Sequence, residues 1–129
     1  MLKKTIDYTD YNGVTHSEPF YFNLNKAELT QWELETTGGL MNLLEIMIVE
    51  KNRKQMAEMF KVVINKAYGV KSIDGKQFIK NQTVLDAFIQ TEAYSNLYME
   101  LVSSDEAASG FIKGIIPQMP QDKITAPSN

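Results

Sequence analysis

Residues that could carry chemistry are few in this sequence. His16 is the only histidine, and there is no cysteine. A metal site or a nucleophilic triad needs several convergent side chains of these types, and one histidine beside Ser17 and Glu18 in a polar stretch does not supply them. We therefore predict an exposed strand histidine, and we expect no catalytic, metal or cofactor site.

The carboxylates and the one loop glycine motif are equally weak signals of catalysis. Paired acids can do general acid–base work where burial raises one pKa. In this sequence the acids of the predicted helices lie opposite the apolar positions, which indicates a solvated face. The stretch Asp74-Gly75-Lys76 lacks the Gly-Lys-Ser/Thr of a phosphate-binding loop, so it predicts a surface turn. The acids concerned are Glu28, Glu33, Glu35, Glu45 and Glu50.

Composition argues against several classes of protein. The chain has 129 residues, with 13 Lys plus Arg against 16 Asp plus Glu, for a net charge of −3. A mildly acidic chain without a basic cluster binds the phosphate backbone poorly, so we expect no nucleic acid partner. No apolar run approaches the roughly 20 residues that cross a bilayer, and no signal-peptide pattern begins the sequence. We therefore expect no membrane partner and a cytoplasmic location.

The first 24 residues are predicted to form a β-hairpin. Apolar and polar residues alternate before the dipeptide Asn12-Gly13, which favours the positive φ angles of a type I′ turn. Pro19 has no N–H to donate to a ladder, so it should lie on an edge or just before the second half of the return strand. A lone hairpin is marginally stable in water. This one should pack on the helices, pair with another chain, or do both.

Residues 25–117 are predicted to be mainly helical. Asn25 and Glu28 form a capping-box pattern at the start of the first helix. Gly69 suits the left-handed position after the third helix, and a kink is expected near Thr91. Apolar residues recur at helical spacing between these points. The residues that we expect to be buried are Leu43, Leu44, Phe60, Val63, Phe88, Leu97 and Leu101.

The predicted architecture is α+β and mainly α, with the N-terminal hairpin packed on a bundle of about five helices. Residues 1–117 should form a single domain, in which 1–24 is the hairpin and 25–117 the helical part. The main loop is expected between Gly69 and Asn81. Residues 118–129 contain two of the four prolines and no apolar periodicity, which predicts a flexible C-terminal tail.

Apolar residues are in excess on the second and third predicted helices. Some of them lie off the main apolar stripes, namely Ile46, Val49, Val62 and Ile64. Methionine is flexible and suits both irregular core gaps and adaptable binding surfaces. Core packing would explain any single methionine, but the set predicts apolar surface left for a partner. The candidate partner-binding residues are Met41, Met47, Met56 and Met59.

Three stretches of the sequence resemble a known family. They are Phe20–Leu29, Ala67–Phe78 and Phe88–Leu101, and they are similar to the small tail assembly chaperones of long-tailed phages and prophages of Gram-positive bacteria. The likeness extends from about Leu2 to Pro117. It rests on structural motifs, namely a hairpin, helix caps, a glycine turn and an aromatic helix.

The resemblance implies a function in virion assembly. Such chaperones bind the tape measure protein and keep it soluble while the tail tube assembles around it, and the major tail protein is a second candidate partner. The resemblance implies no enzyme activity and no cofactor, a location in the cytoplasm of the bacterial host, and absence from the mature virion. Self-association stays open. The alternative is a permanent phage structural protein, such as a tail-completion or head–tail connector component.

Overall fold

A computed structural model describes residues 1–50 and 52–117, which form an antiparallel sheet and a set of helices. The strands are β1 (Leu2–Thr9), β2 (Thr15–Phe22), β3 (Tyr68–Lys71) and β4 (Phe78–Ile79). The helices are α1 (Lys26–Glu35), α2 (Leu40–Glu50), α3 (Arg53–Ala67), α4 (Gln82–Ile89), α5 (Glu92–Ser103) and α6 (Asp105–Ile115). The predicted mainly helical α+β class is confirmed. The predicted tail, residues 118–129, lies outside the described residues.

The N-terminal hairpin is a regular ladder with a longer connection than predicted. The Gly13 amide donates to the Asp10 carbonyl at 2.9 Å, which places Tyr11 and Asn12 at the centre of the turn. The prediction of a type I′ turn centred on Asn12-Gly13 is therefore wrong. The reason is the Asp10 carboxylate, which accepts from the Asn12 and Val14 amides at 2.9 Å each and stabilises a wider loop.

Pro19 lies where β2 has a free edge. The sheet order is β1-β2-β3-β4, but β3 pairs only with Tyr21 and Phe22. Pro19 pairs with Thr5 of β1 on its other side. The missing N–H of the proline therefore costs no hydrogen bond to β3, as predicted for an edge position.

The segment predicted as the main loop after α3 contains the second hairpin of the sheet, β3–β4. Gly69 lies inside β3, so the prediction of a left-handed glycine ending the helix is wrong. A Cβ at Gly69 would lie 2.6 Å from the Phe78 ring, and this close approach is what requires glycine. The predicted turn at Asp74-Gly75-Lys76 is confirmed at the hairpin tip, where Gly75 has a φ of 74°.

Local side-chain hydrogen bonds set the helix boundaries. The Asn25 side chain accepts from the Glu28 amide at 2.8 Å, and the Glu28 carboxylate accepts from the Asn25 amide at 2.9 Å, so the predicted capping box is confirmed. The expected kink near Thr91 is a complete break. The Thr91 hydroxyl accepts from the Tyr94 amide at 3.3 Å and begins α5.

One hydrophobic core joins the sheet to the helices. Phe22 of β2 lies at its centre, with ring centroids 5.7 Å from Tyr68, 5.9 Å from Phe88 and 5.2 Å from Phe111. The residues predicted to be buried are buried except Leu43, which is half-buried because α2 leaves one face open to solvent. The hairpin thus packs on the helices, one of the alternatives expected for it.

Candidate partner-binding surface

Helix α3 is covered by the core along one side and open along another. The Tyr98 hydroxyl of α5 donates to the Ala57 carbonyl at 3.2 Å, and the Arg53 guanidinium donates to the Val102 carbonyl. These bonds fix the covered side against α5. The fully buried residues of α3 are Met56, Phe60, Val63, Ile64 and Ala67.

Helix α2 is placed beside α3 by a tight connection from α1. Gly38 and Gly39 have φ angles of 82° and 92°, a region that L side chains rarely adopt. The Glu33 carboxylate of α1 accepts from the Leu40 amide at 2.8 Å and so caps the first turn of α2. The predicted solvated role of Glu33 is therefore wrong, since this carboxylate serves the backbone of the next helix.

An apolar groove lies between α2 and α3. It has a volume of about 300 Å³. Its lining residues are Leu43, Met47, Gln55, Glu58, Met59 and Val62. Val62 of the lining is 41% exposed, and Ile46 and Val49 elsewhere on α2 are 42% and 77% exposed, so the two helices present aliphatic side chains to water. An apolar groove with exposed aliphatic side chains is a candidate site of interaction with other proteins.

The predicted partner-binding methionines occupy different places around this groove. Met47 and Met59 line it; Met47 is 5% exposed and also packs in the core, whereas Met59 is half-buried. Met56 is 1% exposed and packs in the core. Met41 belongs to α2, but its side chain lies outside the described residues. Partner binding by the set stays a prediction, and among the methionine side chains that the structure describes, Met47 and Met59 line one groove.

Sequence reasoning identified half of the residues that line the groove, namely Met47, Met59 and Val62, and assigned two residues to the wrong side. Ile64 was expected among the apolar residues off the core, yet it is fully buried, because α3 packs on more than one neighbouring element. Leu43 was expected in the core and instead lines the groove. The rim residues Gln55 and Glu58 carry no sequence signal, since polar residues on a helix surface are ordinary.

A second cluster of functional groups lies at the tip of the β1–β2 hairpin. His16 Nε2 is 2.7 Å from a carboxylate oxygen of Asp10, and His16 Nδ1 is 3.3 Å from Glu18. The Tyr8 hydroxyl donates to Glu18 at 2.6 Å, and the Tyr8 and His16 rings stack at 5.0 Å. The predicted exposed histidine is in fact half-buried, with 29% of its side chain exposed.

The electrostatics of this cluster favour the protonated histidine. The hydrogen bond with Asp10 raises the pKa of His16 above its usual value, and the same bond lowers the pKa of Asp10. Hydrogen bonding to Glu18 raises the pKa of Tyr8 to about 12. Because each group satisfies a neighbour, we assign the cluster to the stability of the hairpin tip.

The other residues considered from the sequence either have structural roles or do not lie close enough together to form a site. The Glu28 carboxylate accepts from Lys80 Nζ at 2.8 Å as well as capping α1, so it is not a solvated acid as predicted. Within residues 1–50 and 52–117, no group of three His, Asp or Glu side chains is placed to hold a metal ion. None of the helices described is both long and apolar enough to cross a membrane.

Comparison with known proteins identifies the family. The family model described as "phage tail assembly chaperone" matches residues 1–128. The match covers almost the whole chain, and this chain belongs to the phage tail assembly chaperone family. No curated protein and no solved structure matches it significantly. The family resemblance of the sequence is confirmed, while the Gram-positive host stays an expectation.

Proposed function

We propose that this chaperone binds apolar helical segments of the tape measure protein in the α2–α3 groove and keeps that protein soluble while the tail tube assembles. It acts by binding and not by catalysis. It works in the cytoplasm of the bacterial host and leaves the tail before the virion is complete. Family membership supports a partner among the phage tail proteins, and the major tail protein is the second candidate.

The observation that carries this proposal is the apolar groove with its exposed rim. A helical guest places apolar anchors at i, i+3 or i+4, and i+7 along one face, which suits a groove formed between two helices. Met47 and Met59 line the groove, and their unbranched side chains can repack around different anchors. One surface can therefore serve many segments of a long helical chain.

Chaperoning also requires contacts that polymerising tube subunits can displace. A micromolar dissociation constant corresponds to about −8 kcal/mol, which a small apolar groove can supply. Tighter binding would delay release, because differences in affinity between related complexes arise mostly in the dissociation rate. The small size of the groove, about 300 Å³, fits weak and repeated contacts.

Co-expression with the tape measure protein of the same phage tests the proposal. The tape measure protein should be insoluble alone and soluble with the wild-type chaperone. The double substitution Met59→Glu and Val62→Glu places two charges in the lining of the groove and should abolish this solubilisation. A matched control is Leu34→Glu with Met99→Glu, at residues that are 81% and 56% exposed on α1 and α5; it should leave solubilisation intact.

Two results would contradict the proposal. Equal loss of solubilisation in both double variants would mean that the groove is not the binding site. Unchanged solubility of the tape measure protein, together with stoichiometric recovery of this chain in purified virions, would identify a permanent structural protein instead.

A further inference from the structure

The tip of the β1–β2 hairpin contains a chemically labile pair of residues, Asn12-Gly13. Asparagine is one of the thermolabile residues of proteins, because its side-chain amide is an electrophile that the backbone nitrogen of the next residue can attack. A glycine in that next position leaves the nitrogen unhindered, since glycine has no Cβ. Asn12 is the only asparagine of the sequence that precedes a glycine, which makes it the most reactive one by local chemistry.

Both residues of the pair are open to solvent. Asn12 and Gly13 are exposed, and their neighbours Tyr11 and Val14 are 77% and 52% exposed. Water and hydroxide therefore reach the pair without any opening of the core. Exposure alone does not set the rate of attack, because the Gly13 nitrogen must also turn toward the carbonyl carbon of the Asn12 side chain.

Asp10 holds the backbone of the pair in place. The Gly13 amide, whose nitrogen is the nucleophile once it has lost its proton, donates to the Asp10 carbonyl at 2.9 Å. One carboxylate oxygen of Asp10, Oδ1, accepts from the Asn12 and Val14 amides at 2.9 Å each. Attack requires rotation about the Asn12 Cα–C bond, and this rotation moves the Gly13 amide away from the Asp10 carbonyl. The closed turn therefore opposes the reaction.

The other carboxylate oxygen of Asp10 is held as well. Asp10 Oδ2 lies 2.7 Å from His16 Nε2, and the Asp10 amide donates to the Val14 carbonyl at 2.8 Å. The hydrogen bonds with His16 and with the Val14 amide lower the pKa of Asp10, so its side chain is an ionised and therefore strong acceptor at neutral pH. Asp10 thus fixes the turn through both carboxylate oxygens and through its backbone.

We infer that Asn12 is a site of spontaneous deamidation, and that Asp10 controls the rate by keeping the turn closed. In the reaction the Gly13 nitrogen loses its proton to hydroxide and bonds to the carbonyl carbon of the Asn12 side chain. The carbon–nitrogen bond of the side-chain amide breaks, and its nitrogen takes up a proton from water and leaves as ammonia. Water then opens the resulting cyclic imide at either carbonyl, which gives aspartate or isoaspartate at position 12.

The Asp74-Gly75 turn of the β3–β4 hairpin contains a comparable pair. The Asp74 carboxylate accepts from the Lys76 amide at 3.0 Å, and the Gly75 amide donates to the Ser72 carbonyl at 2.9 Å. The hydrogen bond from the Ser72 hydroxyl lowers the pKa of Asp74, which keeps this side chain ionised. A carboxylate resists attack by a nucleophile, whereas the neutral amide of Asn12 does not. Asn12 is therefore the reactive member of the two turns.

Deamidation would alter the tip in two ways. A carboxylate at position 12 lies beside that of Asp10, and the repulsion between like charges favours an open turn. Isoaspartate also lengthens the backbone and displaces the amides that Asp10 binds. The Tyr11 hydroxyl, which donates to Glu92 of α5 at 2.9 Å, moves with the tip. The tip shares no residue with the α2–α3 groove, so the inference is independent of the proposed function.

Peptide mapping by mass spectrometry tests the inference on the full-length protein, incubated at mildly alkaline pH with and without urea. Conversion of Asn12 should be slower in the folded protein than in urea, because opening of the turn limits it. Asp10→Ala should speed conversion of the folded protein at least about fivefold, the factor that one net hydrogen bond contributes. The matched control Asp7→Ala removes an exposed carboxylate of β1 and should leave the rate unchanged.

Two further variants separate the chemistry from the fold. Asp10→Asn keeps an acceptor oxygen for the two amides and should restore most of the protection that Asp10→Ala loses. Gly13→Ala should slow conversion in urea, where the fold plays no part, because the added Cβ hinders the nitrogen. An unchanged rate in urea would mean that Gly13 is not the attacking residue and would overturn the inference.

The control of the rate by Asp10 fails under three results. The first is an equal rate for the folded wild type and Asp10→Ala. The second is a wild-type rate that is the same in the folded protein and in urea, which would mean that the turn gives no protection. The third is equal acceleration of Asn96 in α5 by Asp10→Ala, which would mean that the substitution acts by unfolding the whole protein. Acceleration confined to Asn12 supports local control.

Discussion

The tip of the β1–β2 hairpin and the surface of α2 and α3 differ in whether their side chains have partners within the molecule. At the hairpin tip the titratable groups are paired with one another, as His16 is with Asp10 and Glu18. On α2 and α3, the apolar side chains of Val49 and Val62 are 77% and 41% exposed to water. The polar groups of the first region are satisfied within the molecule, whereas part of the apolar surface of the second stays exposed.

This difference distinguishes residues that stabilise the fold from residues that are candidates for binding a partner. A satisfied polar cluster stabilises the chain that contains it and leaves little for a partner to gain. Exposed aliphatic surface costs solvation free energy in the free protein, at roughly 25 cal/mol per Å², and that cost is recovered when a partner covers it. The groove is therefore the better place to look for assembly function, and the following experiments sharpen the contrast.

The largest effect is expected inside α3. Phe60 is 1% exposed and Val62, two residues later, is 41% exposed. Phe60→Ala should lower the free energy of unfolding by about 3–5 kcal/mol because it leaves a cavity in the core. Val62→Ala should change it by less than about 1 kcal/mol. Urea denaturation measures both, and similar losses would mean that the groove face of α3 is part of the core.

A smaller effect is expected in the sheet. Gly69→Ala would place a Cβ 2.6 Å from the Phe78 ring, so the ring must move, and we expect a loss of about 1–3 kcal/mol. Gly110→Ala in α6 is the control, since a Cβ there meets nothing within 4 Å. The control should stabilise the protein by up to about 1 kcal/mol, because alanine is the better helix former. If thermal unfolding showed Gly69→Ala to be neutral, the close packing of Phe78 would not constrain the sheet.

The parts of the fold that local chemistry determines could be predicted from the sequence. The capping box at Asn25 and Glu28 and the apolar stripes of the helices are local patterns, and the structure has them. The β3–β4 pairing could not be predicted, because β4 has two residues and its partner strand follows a helix. The prediction that Gly69 ends α3 in a left-handed conformation was wrong because the sequence does not distinguish a glycine that ends a helix from one that packs under an aromatic ring.

The candidate site was only partly predictable. Helical spacing separates the stripe of a helix from its opposite face, but it does not say how many neighbours the helix has. Ile64 and Val62 both lie off the main stripe of α3, yet Ile64 is buried and Val62 lines the groove. Tertiary packing decides between such residues, and periodicity alone does not contain that information.

A moderate effect is expected from the cap of α1. Asn25→Ala removes the acceptor of the Glu28 amide and should cost about 0.5–2 kcal/mol. Lys26→Ala at the next position is the control, because its side chain is exposed; it should be nearly neutral. Chemical denaturation compares the two variants. Equal stability would show that the Lys80 contact with Glu28 holds this helix without the cap.

The smallest effect is expected from titration of the hairpin cluster, and its sign follows from the pKa shifts. Hydrogen bonding with Asp10 raises the folded-state pKa of His16 above 6.5, so its stabilising contribution is full below pH 6.5 and is lost as pH rises through the folded-state value. The pKa of Asp10 is lowered below 3.8, so its contribution is present above pH 3.8 and is lost as pH falls through the folded-state value.

The cluster should therefore stabilise the hairpin most between about pH 4 and 6.5. The tip is also held by a hydrogen bond from the Tyr11 hydroxyl to the Glu92 carboxylate of α5 at 2.9 Å. The melting temperature of the wild type should fall as pH rises from that window toward pH 8.5. His16→Asn removes the titrating group and should flatten this part of the profile, whereas Lys113→Gln on α6 should not. A wild-type melting temperature that rises over the same range, or an identical slope in His16→Asn, would show that the interaction of His16 with Asp10 and Glu18 contributes nothing to stability. The hairpin tip would then be held by its backbone turn alone, and its contrast with the groove would rest on the apolar surface of α2 and α3.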